Sequence, residues 1–294
     1  MYNLSLYLLT IAIWGSTWIA AKYQVDAASA LQSVFFRIAI AALLMQGIVT
    51  ASRARKRHSL HTHWQFFLMG SFICSWNYVL IYTATEWGLT TGLIALIFSL
   101  VITMNMINNA LFFREIPEKS TLIGAVLGLI GISAVFAPDI AALRGQGNTA
   151  AVVICVFATY LASLGNMMSK ILQRQGISVN SSNGWAMTYG ALSLLVIVIL
   201  FDRPVQFPTT LPFLSSLFLL VVFGTIIGFW SYLTLLGRVG SDKAAYAMIV
   251  FPIWALTISW MVEGFEWSPV KIAGVAIILV GNFFIIGRRP KLAG

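Results

Sequence analysis

Ten stretches of mainly apolar residues, each close to twenty residues long, follow one another along the chain with short polar or Pro/Gly-containing breaks between them. A helix rises about 1.5 Å per residue and needs about 20 apolar residues to cross about 30 Å of hydrocarbon, so runs of this size predict membrane-spanning helices. They lie near Leu4–Lys22, Ser29–Ala51, Trp64–Thr85, Thr90–Phe112, Ser120–Pro138, Thr149–Leu172, Ser182–Leu200, Leu211–Leu235, Ala244–Val262 and Pro269–Ile286. Strands of a membrane barrel would be about 10 residues long and would alternate in polarity. Unbroken runs such as GALSLLVIVIL, Gly190–Leu200, exclude that pattern. The first run ends in small residues before Lys22, as a secretory signal does, but no basic stretch precedes it and nine further spans follow, so it is read as a retained helix. The longest connections are the basic segment after the second span and those near Asp139 and Asp202, and none is expected to hold a soluble domain.

Hydrophobic residues make up 59% of the chain and charged residues 9%, far from the balance of a soluble domain, so the fold class is an all-α integral membrane protein. The formal net charge of +9 would suggest nucleic acid in a soluble chain. Its distribution gives another reason. With ten helices both termini share one side, and that side carries Arg53, Arg55, Lys56, Arg57, Arg114, Lys119, Lys170, Arg174, Arg238, Lys243, Arg288, Arg289 and Lys291. The opposite side has Lys22, Arg144, Arg203 and Lys271, and Arg37 lies within the second helix. Basic loops stay in the cytoplasm, so both termini are expected there, and no nucleic-acid partner is needed. RARKR, Arg53–Arg57, reads as a topology signal facing anionic lipid. The neighbouring His58, His61 and His63 read as solvated loop residues, because a metal site would need further ligands; no metal or other cofactor is expected. Cys74 and Cys155 both fall inside spans, which indicates no external disulfide.

A shift of 148 residues superposes Lys22 on Lys170, Gly92 on Gly240 and Glu115 on Glu263. With two residues of loop slippage, IGAVLGLIG (Ile123–Gly131) also aligns with AGVAIILVG (Ala273–Gly281). The common register predicts two five-helix repeats, residues 1–143 and 144–294. An odd number of helices per half turns the second copy upside down. Lys22 then ends the first helix outside and Lys170 ends the sixth inside, with Glu115 and Glu263 at opposite mouths in the same way. Such inverted repeats are the pattern of secondary transporters, whose halves exchange inward-open and outward-open arrangements around one central site.

WGSTWIAAK in the first helix, SVFFRIAIAALLM (Ser33–Met45) in the second, and a Glu closing the fourth and ninth helices before a Gly-rich fifth and tenth resemble the EamA-type transporters of the drug/metabolite superfamily. The resemblance covers essentially the whole chain, and its ten-helix layout is more specific than any single motif. It departs in one place: the family often has Pro in both fourth-type helices, and here Met104 stands opposite Pro252. The richness in Trp, Tyr and Phe is similar to that of YddG-type exporters of aromatic amino acids. What this implies is a transporter rather than an enzyme.

Residues for a substrate cavity come from several helices. Trp14 and Trp18 are one turn apart on the first, where Trp18 suits an interfacial belt and Trp14 lies deeper. Ser71, Cys74, Ser75, Tyr78, Tyr82 and Thr85 repeat at helical spacing on the third and form a polar stripe, which lipid would not favour. Ser99 and Thr103 on the fourth, Tyr160, Ser163, Asn166 and Met167 on the sixth, Tyr232 on the eighth and Tyr246 on the ninth complete the expected substrate-binding set. Tyr, Trp and Met suit an aromatic ligand through flat apolar faces and an adaptable thioether. An Arg near mid-membrane costs roughly 2.5–3.5 kcal/mol on insertion scales, so Arg37 must face protein or water. Two roles are open to it, contact with a substrate carboxylate or a link between helices. Gly88, Gly92, Gly240 and Pro252 are hinge candidates.

No carboxylate falls in the middle of a predicted helix, which disfavours proton coupling, and facilitated diffusion by alternating access follows. The chain has no H-E-x-x-H or P-loop motif and no nucleophile set beside a base, so an intramembrane enzyme and an ATP-driven pump are not supported. The function expected is export of small metabolites, foremost aromatic and other neutral amino acids. A multidrug or nucleotide-sugar carrier and a non-transporting receptor or scaffold are the alternatives. The partners expected are a small-molecule substrate and the lipid bilayer, with the protein a monomer or weak homodimer.

Overall fold

A computed structural model describes residues 2–51, 57–114, 119–142, 148–202, 204–228, 230–232, 235 and 246–286. These are helical with short connections, and among them there is no strand. The rods are α1 (Tyr2–Val25), α2 (Ala30–Ala51), α3 (Leu60–Glu86), α4 (Thr91–Phe113), α5 (Lys119–Ala142), α6 (Asn148–Arg174), α7 (Val179–Phe201), α8 (Leu211–Tyr232), α9 (Tyr246–Glu263) and α10 (Pro269–Ile286). Among the described residues seven of them, α1 to α4 and α6 to α8, are long and apolar enough to cross a membrane, while α5, α9 and α10 carry shorter apolar stretches. Large apolar side chains such as Leu43, Leu111 and Met261 are exposed, as hydrocarbon-facing positions should be.

Helix ends depart from the hydropathy pattern where capping decides them. α3 starts at Leu60 because the Ser59 hydroxyl accepts from the Thr62 backbone N–H at 3.2 Å, satisfying one of the free donors of the first turn. His58 and His63 are accordingly packed as well as polar. The His63 ring meets Trp185 edge-on at 4.7 Å, and its Nδ1 is 3.0 Å from the Tyr189 hydroxyl. This corrects the reading of His63 as a solvated loop residue, while His58 stays in the connection with its ring 5.2 Å from that of Phe66. α5 runs on through Pro138 to Ala142, so Asp139 lies in helix rather than in a connection. A proline removes its own bond back along the helix and crowds the carbonyl four residues earlier, but the residues after it can still continue the helix.

The helices form two compact units. The first comprises Met1–Ile19, Thr90–Ala150 and Ile227–Gly294, and the second Ala20–Leu89 and Ala151–Ile226. In the first unit α5 and α10 pack along their length through glycines. A Cβ on Gly131 would lie 2.6 Å from the Gly274 carbonyl oxygen, and one on Gly281 would lie 2.6 Å from that of Gly124. Early residues of α5 therefore meet late residues of α10, and the pair is antiparallel. The same test applies to α4 and α9, where Thr91 meets Glu263 and Ala95 packs with Phe251 and Ala255. In the second unit Gln32 of α2 reaches the Asp202 carbonyl at the end of α7, and Gln46 reaches Thr188 at 3.0 Å, so this pair is antiparallel too.

Two helices contain π segments, Gly70–Trp76 in α3 and Leu219–Ile227 in α8. Each widens the turn and shifts which later residues share a face. In α8 the Thr225 hydroxyl donates to the Leu220 carbonyl five residues earlier at 2.9 Å, a partner that the wider turn brings into reach.

Candidate functional site

In the second unit the buried Arg37 of α2 lies against α3. Its Nη1–H donates to the Tyr82 hydroxyl at 3.2 Å and its Nη2–H to the Tyr78 hydroxyl at 3.3 Å. The guanidinium also sits 4.3 Å from the centre of the Tyr78 ring, an attraction between the cation and the negative ring face. Tyr78 and Tyr82 are one turn apart on the regular helix that follows the π segment, which is why both meet one guanidinium. Arg37 Nε is buried with no hydrogen-bond partner.

The remainder of the α3 polar stripe is dispersed. Ser75 donates to the Gly190 carbonyl of α7 at 3.0 Å, and Thr85 turns back to the Ile81 carbonyl of its own helix at 3.1 Å. The stripe also runs through the π segment, and from it Ser75 reaches α7 while Tyr78 and Tyr82 meet Arg37 of α2. The buried Asn77 is a further anchor that hydropathy did not mark. Its amide donates to the Ala158 carbonyl of α6 at 2.7 Å. Gly70 lies against the Ala186 backbone and Gly165 of α6 against Ile73, so α3 is held on two sides.

In the first unit Trp14 and Tyr232 come together, with ring centroids 5.1 Å apart. Tyr232 also packs against the Leu6 and Leu235 cluster. Trp18 packs with Phe98 at 5.4 Å and lies parallel to Phe251 at 6.4 Å, so it belongs to a helix contact rather than solely to an interfacial belt. Ser99 is buried at a break in α4, where its hydroxyl donates to the Leu96 carbonyl at 2.7 Å. Thr103 is buried one turn later, and its hydroxyl has no partner. On α6 Ser163 and Met167 are buried, Asn166 is half-buried and Tyr160 is exposed. Tyr246 begins α9, but its side chain, like the whole of Gly240, lies outside the described residues.

The hinge candidates have specific structural duties. Gly88 follows α3 with φ +88°, where the Leu89 N–H returns to the Ala84 carbonyl at 3.0 Å and closes the helix end. Residues with a Cβ resist that backbone conformation. Pro252 sits inside α9 and deprives that helix of one backbone bond. Gly92 is a packing position. A Cβ there would stand 2.7 Å from the Ser259 Cβ and 2.9 Å from the Leu256 Cα of α9. Gly92→Ala is therefore expected to lower the thermal unfolding temperature of the purified protein and to reduce substrate binding and transport together. A variant with unchanged stability and binding but slow transport would instead make Gly92 a hinge.

Several polar residues hold helix ends without any local motif. The Glu263 carboxylate at the end of α9 accepts from the Thr91 backbone N–H at 2.9 Å, the Thr91 hydroxyl at 2.7 Å and the Ser259 hydroxyl at 2.7 Å. It thereby caps the start of α4. Glu86 similarly accepts from the Ala30 N–H at the start of α2, and Ser29 donates to Asp202. Gln24 donates to the Phe213 carbonyl at 2.9 Å and to Ser216 at 2.6 Å. The sequence shows carboxylates near span ends, but their partners lie too far along the chain to be read there. Among the described residues no three His, Cys, Asp or Glu side chains gather as a metal site would require.

Comparison with known proteins gives these helices a context. The model of the EamA-like transporter family matches residues 1–137 and again residues 149–287. An uncharacterized transporter of Archaeoglobus fulgidus is 23% identical over 96% of this chain and 97% of its own length. The uncharacterized transporter YoaV of Bacillus subtilis is 25% identical over 94% of this chain and 95% of its own. A probable amino-acid metabolite efflux pump of Salmonella typhimurium is 22% identical over 98% of both chains. A solved crystal structure superposes with a TM-score of 0.66 at 15% identity, covering 96% of this chain and 95% of that one, a likeness of fold alone.

Proposed function

The chain belongs to the EamA-like transporter family as a multi-pass membrane transporter, and from that premise we propose that it exports aromatic and other neutral amino acids across a bacterial inner membrane. The observation that carries the amino-acid reading is the buried Arg37 between two tyrosine hydroxyls, a cation that no carboxylate of the described residues neutralises. The Trp14–Tyr232 pair adds an aromatic surface in the other unit. The Salmonella typhimurium relative, by its name, works on amino-acid metabolites.

The mechanism we attach to this is alternating access by two inverted five-helix repeats, residues 1–143 and 144–294. Three features support it. The family model matches twice in succession. Helices that would be equivalent under the repeat pair with each other, α2 with α7, α4 with α9 and α5 with α10, and each of these pairs is antiparallel as an upside-down copy requires. The π segments also recur in equivalent helices, since Gly70 shifted by 148 residues falls at Phe218, beside the start of the second segment. The carboxylates described here lie toward helix ends, where several act as caps, so no mid-helix proton relay is assigned and the driving force is the substrate gradient.

Cells producing the protein and preloaded with radiolabelled phenylalanine are expected to lose label several-fold faster than cells without it. Equal rates, with the protein present in the inner membrane, would remove amino-acid export from consideration.

A further inference from the structure

The groups around Arg37 have one chemical character, for all of them have protons still to give. A guanidinium carries five N–H donors and no acceptor. Two of these are used by the Tyr78 and Tyr82 hydroxyls, and Nε–H is buried without a partner. Each tyrosine oxygen accepts from Arg37 and keeps its own O–H to donate, and among the described residues neither O–H has an acceptor. Arg37 is buried, seven residues into α2 from Ala30 and about 10 Å along a helix. A buried cation with two spare phenol donors and no carboxylate is an incomplete ion-binding arrangement, and the missing part is an anion with several lone pairs.

Resting on the amino-acid export reading, we infer that Arg37, Tyr78 and Tyr82 form the receptor for the substrate's carboxylate. The two carboxylate oxygens match the forked face of a guanidinium, while a phosphate dianion would bring more charge than one arginine balances. An amine is disfavoured here, because the arginine repels it and already donates to both tyrosine oxygens. In the substrate-free protein the hydroxyls act as placeholder acceptors. When substrate enters, its carboxylate takes the guanidinium N–H groups, and the hydroxyls reverse their role and donate to it. The site therefore selects small carboxylates with an aromatic or apolar body over amines of the same shape.

The test uses purified full-length protein in detergent and three probes of similar shape, namely phenylalanine, 3-phenylpropionate and phenethylamine. Apparent Kd is read from ligand-dependent thermal unfolding. Wild type is expected to bind phenylalanine and 3-phenylpropionate, with phenethylamine much weaker. Arg37→Gln should weaken both carboxylates roughly tenfold to a hundredfold, the loss of charge-assisted hydrogen bonds. Arg37→Lys should recover part of that loss. Should Arg37→Gln fail to fold, the double variant Tyr78→Phe with Tyr82→Phe keeps the cation, removes the two donors, and is expected to weaken the same two probes several-fold. Phenethylamine bound as tightly as 3-phenylpropionate, or a folded Arg37→Gln with wild-type affinity for both carboxylates, would overturn the receptor and make Arg37 a link between α2 and α3. Phenylalanine binding in that last case would leave the amino-acid reading intact. Arg37-dependent binding of 3-phenylpropionate without phenylalanine would retain the receptor and reject the amino acid. Binding of none of the three by folded wild type would reject both.

Discussion

Gly131→Leu is expected to prevent recovery of folded protein, and Gly131→Ala to give a folded protein that unfolds at a clearly lower temperature. The cause is backbone against backbone. A Cβ on Gly131 would lie 2.6 Å from the Gly274 carbonyl oxygen and 2.9 Å from the Ile278 backbone nitrogen, and neither can rotate away as a side chain would. Close approach is what holds two apolar helices together in a solvent as apolar as they are, because dispersion contacts replace the hydrophobic effect there. Overpacking by one methyl group costs about 1–3 kcal/mol where the neighbours can shift, and a leucine adds three more carbons to the same gap. The measurement is the yield of monodisperse protein and its midpoint of thermal unfolding in detergent. As a control, Gly47 has no atom within 4 Å of its added Cβ, and Gly47→Ala should unfold like wild type. A Gly131→Leu protein recovered in normal yield with a normal midpoint would show that α5 and α10 do not meet this closely.

The second large effect is expected at Glu263. One carboxylate oxygen receives three hydrogen bonds, from the Thr91 N–H, the Thr91 hydroxyl and the Ser259 hydroxyl. The negative charge also suits the start of α4, where free N–H groups leave a partial positive charge. Glu263→Ala strips the acceptor from all three and should lower stability by about 1–3 kcal/mol, as loss of a charged helix cap does. Glu263→Gln keeps an acceptor without the charge and should lose less. Both are read as shifts in the unfolding midpoint at pH 7. Glu263→Ala with unchanged stability but with transport lost would mean that this carboxylate serves in translocation instead, and a gradient-independent mechanism would then be in doubt.

Among the described residues the helices long and apolar enough to cross a membrane, α1 to α4 and α6 to α8, are legible in the sequence because hydrocarbon demands an apolar run about 20 residues long. The third span shows where such reading stops. Tyr78 and Tyr82 were marked through their one-turn spacing and do meet Arg37, whose depth in the second run had already called for a partner. Ser75 shares their spacing in the sequence, yet it lies within a π segment beginning at Gly70 and bonds to Gly190. A wider turn leaves no mark in a hydropathy pattern. Gly92 is a hinge candidate in the sequence because it lies near a break between helices, while its close packing against Ser259 and Leu256 involves residues far along the chain. The caps made by Glu86 and Glu263 were hidden for the same reason, since their partners are backbone groups at Ala30 and Thr91. Local periodicity reveals which side chains leave water, and long-range contacts decide what each then does.

Counterflow in proteoliposomes is the measurement that most directly tests a substrate-driven amino-acid carrier. Purified protein is reconstituted with unlabelled phenylalanine inside, traces of radiolabelled phenylalanine are added outside, and no ion gradient is imposed. Transient, saturable accumulation of label, abolished when the internal phenylalanine is omitted, is the predicted result. Accumulation that appears only when a proton gradient is imposed would contradict it.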